Sequence, residues 1–135
     1  MKLEPDIVRL LLLALEDKLR INNELEYPSV FITDVCSSAF LSGYSLLHIA
    51  YTALKLKEAG YIDACIESSD GRIGIVCFSG ITFAGHQFLE SVRNQANWNK
   101  TKEIAGKAGN FTIKVLESIS SGLAVAYIKN TLGLT

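Results

Sequence analysis

The sequence has 135 residues, of which 49% are hydrophobic and 20% are charged, and its formal net charge is -1. This length fits a single domain, and the apolar content excludes global disorder. The near-neutral charge removes the simplest argument for nucleic-acid binding, which is a strongly basic domain. The N-terminus lacks the basic start of a signal peptide, and its longest apolar run is too short to cross a bilayer, so we expect a cytoplasmic protein without a membrane partner.

The first predicted helix begins at Glu4-Pro5-Asp6 and ends near residue 20. Proline is tolerated in a first helical turn, and acidic side chains there suit the positive end of the helix dipole. The run Leu10–Leu15 is apolar on every side of this helix. A helix that is apolar all round is covered all round, so we expect this one to lie between two layers of the fold.

Two short helices are predicted next, over residues 33–41 and 46–59. Gly43 and Gly60 follow them, as glycine often does at a helix end, and Ser45 is a suitable N-cap for the second one. Residues 61–67 and 72–78 then alternate apolar and polar side chains, which predicts two strands. The Asp70-Gly71 pair between them is among the strongest signals for a β-hairpin.

Two longer helices complete the predicted set. One begins at Thr82 and ends near residues 99–102, and the other spans residues 111–131. A glycine turn between helices, followed by a hairpin, is typical of a winged helix-turn-helix. We therefore predict a mainly α fold with a two-stranded β-hairpin. Residues 1–109 would form the winged-helix domain, including the long fourth helix, and residues 110–135 an additional C-terminal helix for packing or dimerisation.

Several blocks of the sequence are similar to those of a bacterial and prophage-associated family. They are Gly43-Tyr44-Ser45 with Tyr51, the segment 58–62, the Thr-x-x-Gly-His-x-Phe-Leu pattern of residues 82–89, then Arg93, Trp98 and Lys100, and finally Leu132-Gly133-Leu134. On these blocks the chain resembles the domain of unknown function 2513 family. The resemblance implies a winged-helix fold and a phage or prophage setting, and it supplies neither an established reaction nor catalytic residues.

One face of the third predicted helix carries residues suited to DNA contact. Four polar side chains fall at positions i, i+3, i+4 and i+7 and so share this face: His48, Tyr51, Thr52 and Lys55. In a winged helix this face enters the major groove. Arg72 follows the hairpin turn and could reach the minor groove or the DNA backbone, although two acidic residues in the hairpin oppose that contact. The alternative for both features is a solvated structural surface.

No motif in the sequence predicts catalysis or a cofactor. Nucleophile-elbow, phosphate-loop and zinc-protease patterns are absent, and the histidines and cysteines lack metal-ligand spacing. The three cysteines are expected to be reduced thiols. We therefore predict no enzyme activity, no cofactor and no metal site. Gly85 is expected to allow close helix packing, and Trp98 to close the core against the first helix.

The last predicted helix carries more apolar surface than one intramolecular contact can hide. The mean hydropathy of +0.26 is also high for a protein of this size. We expect one stripe of this helix to pack on the first helix and another on a symmetry-related copy, giving a homodimer. The residues predicted at the dimer interface are Leu116, Ile119, Leu123 and Tyr127.

The leading hypothesis is a DNA-associated regulatory module of phage or prophage type that binds double-stranded DNA as a dimer. The alternative is a protein-interaction module on the same fold, for example a phage accessory or anti-defence factor that binds a host or phage protein. Surface properties separate the two hypotheses. A DNA-binding module needs a positive face over the third helix and the hairpin, and an interaction module needs an exposed apolar patch.

Overall fold

The computed structural model describes residues 1–133, which form six α-helices and three β-strands. In chain order they are α1 (Pro5–Lys18), β1 (Val30–Phe31), α2 (Ile32–Cys36), α3 (Leu46–Glu58), β2 (Ile62–Ser69), β3 (Arg72–Ile81), α4 (Phe83–Val92), α5 (Gln95–Ala108) and α6 (Ile113–Leu132). A 3-10 turn, Ala39–Leu41, lies between α2 and α3. The prediction of a mainly helical fold is confirmed. None of the helices in this part of the chain is long and apolar enough to span a membrane.

The β-sheet has three antiparallel strands in the order β1-β3-β2, so the prediction of a two-stranded sheet is wrong. β2 and β3 are joined at Asp70 and Gly71, whose φ values of 52° and 74° are the left-handed values that a tight hairpin turn requires. The additional strand, β1, pairs Val30 with Phe78. A strand of two residues is too short to show an alternating pattern, which is why the sequence does not predict it.

Helix α1 lies at the centre of the core, as its all-round apolar character predicts. It packs against α2, α3, α4 and β3. Six of its side chains are completely buried: Ile7, Val8, Leu11, Leu12, Ala14 and Leu15. Trp98 of α5 is 1% exposed, and its Nε1 donates a hydrogen bond to Asp6 Oδ1 at 2.9 Å. Trp98 therefore closes the core against α1, as predicted.

The long fourth helix predicted from the sequence is in fact two helices. α4 ends at Val92, and Asn94 N-caps α5 by accepting a hydrogen bond from the Asn97 amide. At this break, the Arg9 guanidinium donates to the carbonyl oxygens of Val92 at 2.7 Å and Arg93 at 2.9 Å. The end of a helix leaves carbonyl groups without intrahelical partners. Arg9 supplies partners from α1, so the corner between α4 and α5 is fixed by a distant part of the chain.

The second predicted helix is interrupted as well. α2 ends at Cys36, and Ser38 caps the following 3-10 turn by accepting a hydrogen bond from the Phe40 amide. Gly43 then takes a φ of 89°, a left-handed conformation that glycine adopts without strain. Ser45 N-caps α3 by accepting a hydrogen bond from the His48 amide, as predicted.

Gly85 allows α4 to pack closely on the start of β2, which confirms its predicted role. A Cβ atom at this position would lie 2.0 Å from the carbonyl oxygen of Tyr61 and 2.7 Å from Ile81 Cγ2. Thr82 N-caps α4, and its hydroxyl also donates a hydrogen bond to the Gly60 carbonyl at 2.6 Å. The end of α3, the start of β2 and the first turn of α4 therefore meet without room for a side chain at Gly85.

The two halves of α6 lie in different environments. Ile113, Leu116 and Ser120 in the first half are buried, and Ser120 Oγ lies 2.8 Å from Ser91 Oγ of α4. From residue 121 to residue 132 every side chain is exposed except those of Leu123 and Ala124, which are half-buried. The second half of α6 therefore lies largely outside the core.

Candidate interaction surfaces

Three of the four α3 residues predicted to contact DNA share a half-buried face of this helix, and the fifth predicted residue, Arg72, lies on the hairpin. His48 Nε2 lies 3.5 Å from Glu4 Oε1. Lys55 Nζ lies 3.1 Å from Glu58 Oε2 and 5.5 Å from the centre of the Tyr51 ring. The two residues of this face that can carry positive charge are thus each next to a carboxylate, which weakens their attraction for phosphate.

The fourth residue, Thr52, is not on the exposed face of α3, so that part of the prediction is wrong. Its side chain is 1% exposed, and its hydroxyl donates a hydrogen bond to the His48 carbonyl at 2.8 Å. A threonine in a helix can satisfy its hydroxyl on the carbonyl four residues earlier. Thr52 can therefore face the core without burying an unpaired hydroxyl group, and its side chain is unavailable to a ligand.

Arg72 lies at the start of β3, beside the hairpin turn, and is exposed. It takes part in none of the ion pairs found within residues 1–133. The surrounding segment has no positive excess, because three basic residues are offset by four acidic ones between residues 46 and 81: Lys55, Lys57 and Arg72 against Glu58, Asp63, Glu67 and Asp70. The segment that forms α3 and the hairpin therefore has no net positive charge to favour DNA binding.

A groove of about 720 Å³ borders this face of α3, and we call it the α3 groove. Its lining comes from residues 2–3, from residues 51–59 at the end of α3, and from the α5–α6 connection, residues 109–114. The lining combines three lysines and one carboxylate with aromatic rings: Lys2, Lys55, Lys114, Glu58, Tyr51 and Phe111. The sequence does not predict that Phe111 and Lys114 lie beside α3, because their position follows from the packing of α5 and α6.

The first turn of α3 presents two apolar side chains to solvent. Leu46 is 51% exposed and Leu47 is 70% exposed. In helix-turn-helix proteins the N-terminal residues of the recognition helix contact base edges. A leucine side chain has no hydrogen-bonding group for such a contact. Two exposed leucines at this position therefore favour an apolar partner over a base edge.

Ion pairs between α1 and the α4–α5 corner occupy several other charged residues. Arg93 Nη2 lies 2.6 Å from Glu16 Oε2, and its hydrogen bonds lower the pKa of Glu16. Lys102 Nζ lies 2.8 Å from Asp6 Oδ1. Burial raises the pKa of Asp6, but the hydrogen bonds from Lys102 and Trp98 outweigh it, and the net pKa is lowered. These charges therefore join helices to one another.

The cysteines do not line the α3 groove. Within residues 1–133, no three side chains of the His, Cys, Asp and Glu types come together where they could hold a metal ion. Cys36, Cys65 and Cys77 are free thiols, as expected, and burial raises the pKa of Cys36. Cys65 and Cys77 are register partners across β2 and β3.

The residues predicted at the dimer interface lie mainly on the side of α6 that faces its own domain. Leu116 is completely buried and Ile119 packs partly buried against the core, so the prediction that Leu116 meets a second copy is wrong. α6 packs mainly on α4 and α5, which also corrects the predicted contact with α1. Leu123 and Tyr127 line a second groove of about 680 Å³ between α6 and the α4–α5 corner.

Comparison with known proteins gives one match. A family model described as "Hypothetical protein (DUF2513)" matches residues 2–110, from before α1 to the end of α5. No curated protein and no solved structure matches the chain significantly. The matched part includes the glycine turn before α3 and the Thr-x-x-Gly-His-x-Phe-Leu block at α4, on which the family resemblance depends. The Leu132-Gly133-Leu134 block lies beyond it, and Leu134 is outside the described residues. Because the match extends over most of the sequence, the chain belongs to the domain of unknown function 2513 family.

Proposed function

We propose that this chain is a non-enzymatic, cytoplasmic winged-helix module that binds another protein through the α3 groove. The order α1-β1-α2-α3-β2-β3 supports the winged-helix assignment, because three helices are followed by an antiparallel hairpin and β1 completes the sheet beside β3. The phage or prophage setting, with a host or phage protein as the partner, rests on the family resemblance.

The position of the α5–α6 connection beside α3 carries this proposal. Residues 109–114 border the same groove as Tyr51 and Lys55, the residues that would face a DNA major groove. A recognition helix must present a free face to enter a major groove about 12 Å wide. A peptide segment, by contrast, can lie between two parts of the protein.

The lining of the α3 groove favours a partner segment that is acidic and carries apolar anchors. Lys2 and Lys114 supply positive charge. The charge of Lys55 is offset by Glu58, whose Oε2 lies 3.1 Å from Lys55 Nζ. Lys114 Nζ lies 3.8 Å from Glu117 Oε2, and because its side chain is 85% exposed it can turn from that carboxylate toward a ligand. The ring of Phe111, 39% exposed, offers an apolar contact between these charges. Alternating acidic and apolar side chains would match this lining.

Selection from a displayed library of acidic, amphipathic peptides tests the proposal. The enriched peptides should bind the purified chain, and Phe111→Ala should weaken their binding at least tenfold in fluorescence anisotropy. Phe83→Ala is the matched control, because it removes an exposed ring of the same kind that does not line the groove. Peptides that bind the Phe111→Ala chain as tightly as the wild type would refute the α3 groove as the binding site.

DNA association is the second candidate function. The exposed Arg72 on the hairpin, together with Tyr51 and Lys55 on α3, favours it. If DNA is the ligand, a chain carrying Lys55→Ala and Arg72→Ala should bind a duplex more weakly, with a salt dependence lower by about one unit for each lost phosphate contact. Absence of salt-sensitive binding to any duplex at low ionic strength would exclude this function.

A further inference from the structure

The face of α6 that points away from its own domain carries a heptad pattern. Five exposed residues follow one another at alternating spacings of three and four: Ser118, Ser121, Val125, Ile128 and Leu132. The last three are 51%, 52% and 66% exposed. This spacing places side chains along a single seam of a helix that pairs with another helix. We call these five residues the α6 seam.

Residue size changes along the α6 seam from small to large. Ser118 and Ser121, in the first half, are small, whereas Val125, Ile128 and Leu132, in the second half, are large. Two such helices fit best when they run in opposite directions, because Val125 and Ile128 then each meet a serine. A parallel pair would place large on large at one end and small on small at the other, leaving a gap.

We propose that the α6 seam is covered by the same seam of a second copy, in an antiparallel pair with two-fold symmetry. In an antiparallel pair, each a position of the heptad faces a d position of the other helix. Ser118 then faces Ile128 of the second copy, and Ser121 faces Val125. The two-fold axis then passes near residue 123. This surface differs from the one predicted from the sequence, because the Leu116 stripe is already used by the chain's own core.

Charge supports the antiparallel direction. Lys114 continues the heptad spacing of the seam and is exposed, 85% of its side chain being accessible. A parallel pair would place the two Lys114 side chains next to each other, and like charges in contact are unfavourable. In the antiparallel pair Lys114 lies beside Leu132 of the second copy. Its aliphatic stem can cover that leucine while the ammonium group remains in water.

The length of the α6 seam indicates a reversible dimer. From Ser118 to Leu132 it extends about 21 Å, at a rise of about 1.5 Å per residue. A contact between two helices of this length falls at or below the lower end of stable interface sizes, about 1,200 Å² in total. We therefore expect a dissociation constant in the micromolar range. This inference is independent of the α3 groove and of its ligand.

Sedimentation equilibrium over the micromolar range tests the pairing. The wild-type mass should rise from 14.8 kDa toward twice that value as the concentration increases. Val125→Glu should weaken the dimer at least tenfold, because it places a charge at the seam. Ala126→Glu is the matched control, since it adds the same charge one residue away, at an exposed position outside the seam. A wild-type mass of 14.8 kDa at every concentration, or equal effects of the two variants, would overturn the proposal.

Cysteine cross-linking tests the direction of the pair. A mixture of Ser121→Cys and Val125→Cys chains should form a disulfide between residues 121 and 125, located by mass spectrometry of the peptides. Each variant alone should not form a disulfide between two copies of its new cysteine, because the antiparallel register separates them by more than the about 7 Å that a disulfide spans between Cα atoms. Efficient 121–121 cross-linking would show a parallel pair and refute the antiparallel arrangement.

Discussion

Replacing Gly85 by alanine should destabilise the fold, although alanine is the better helix former. The new Cβ would lie 2.0 Å from the Tyr61 carbonyl oxygen, about 1 Å closer than real Cβ atoms come to any neighbour. Because the obstacle is backbone, α4 must move away from β2. Overpacking of this kind destabilises a fold by about 3 kcal/mol, whereas the higher helix propensity of alanine stabilises it by about 1 kcal/mol. The free energy of unfolding should therefore fall by about 2 kcal/mol.

Urea denaturation, followed by circular dichroism, measures this change, and Gly106→Ala is the matched control. Gly106 also lies in a helix, but its added Cβ would meet only the end of the Phe111 ring, at 3.4 Å. Gly106→Ala should therefore raise the free energy of unfolding by about 0.5–1 kcal/mol. If Gly85→Ala is as stable as the wild type, the close packing of α4 on β2 is not a constraint on the fold, and the reasoning fails.

Three further predictions use the same denaturation assay. Asp6→Asn should lower the free energy of unfolding by about 1 kcal/mol at pH 7, because it removes the ion pair with Lys102. Since folding lowers the pKa of Asp6, this contribution is complete above the unfolded-state pKa of about 3.9 and is lost as the pH falls through the folded-state value. The stabilities of the two chains should therefore converge as the pH falls below the folded-state pKa of Asp6, and a constant difference would contradict the pKa shift. Asn94→Ala should cost about 1 kcal/mol by removing the N-cap of α5, and no change would mean that the cap is not needed. Arg9→Met should cost about 2 kcal/mol, because two carbonyl groups at the end of α4 lose their partner, and a neutral result would show that water replaces it.

Elements with local signals were predictable from the sequence. Ser45 and Gly60 on either side of α3 act within one or two residues of the helix ends, and the structure has the helix where they place it. The Asp70-Gly71 turn is equally local. The family blocks within residues 2–110 were also readable, and the family match confirms them. These features depend on backbone preferences that any chain with these residues would share.

Features that depend on distant partners were not predictable. The break after α4 needs Arg9, which is far away in the sequence, to hold the Val92 and Arg93 carbonyls. β1 forms only because β3 offers it an edge. Thr52 is predicted on the face of α3 that would contact DNA, but it lies in the core, because its hydroxyl bonds within the helix. The Leu116 stripe and the α6 seam both consist of apolar or small residues, so the sequence pattern alone does not tell which of them faces the domain.

The central position of α1 has a consequence for the order in which the chain folds. α1 is synthesised before the other helices of this domain. Its side chains nevertheless bond to residues made much later, since Arg9 and Val92 are separated by 83 positions and Asp6 and Trp98 by 92. Folding slows as the sequence separation of native contacts grows, because long loops must close first. We expect this domain to fold more slowly than a helical bundle with local contacts, and only after synthesis has passed α5. Until then the apolar surface of α1 remains without its native cover.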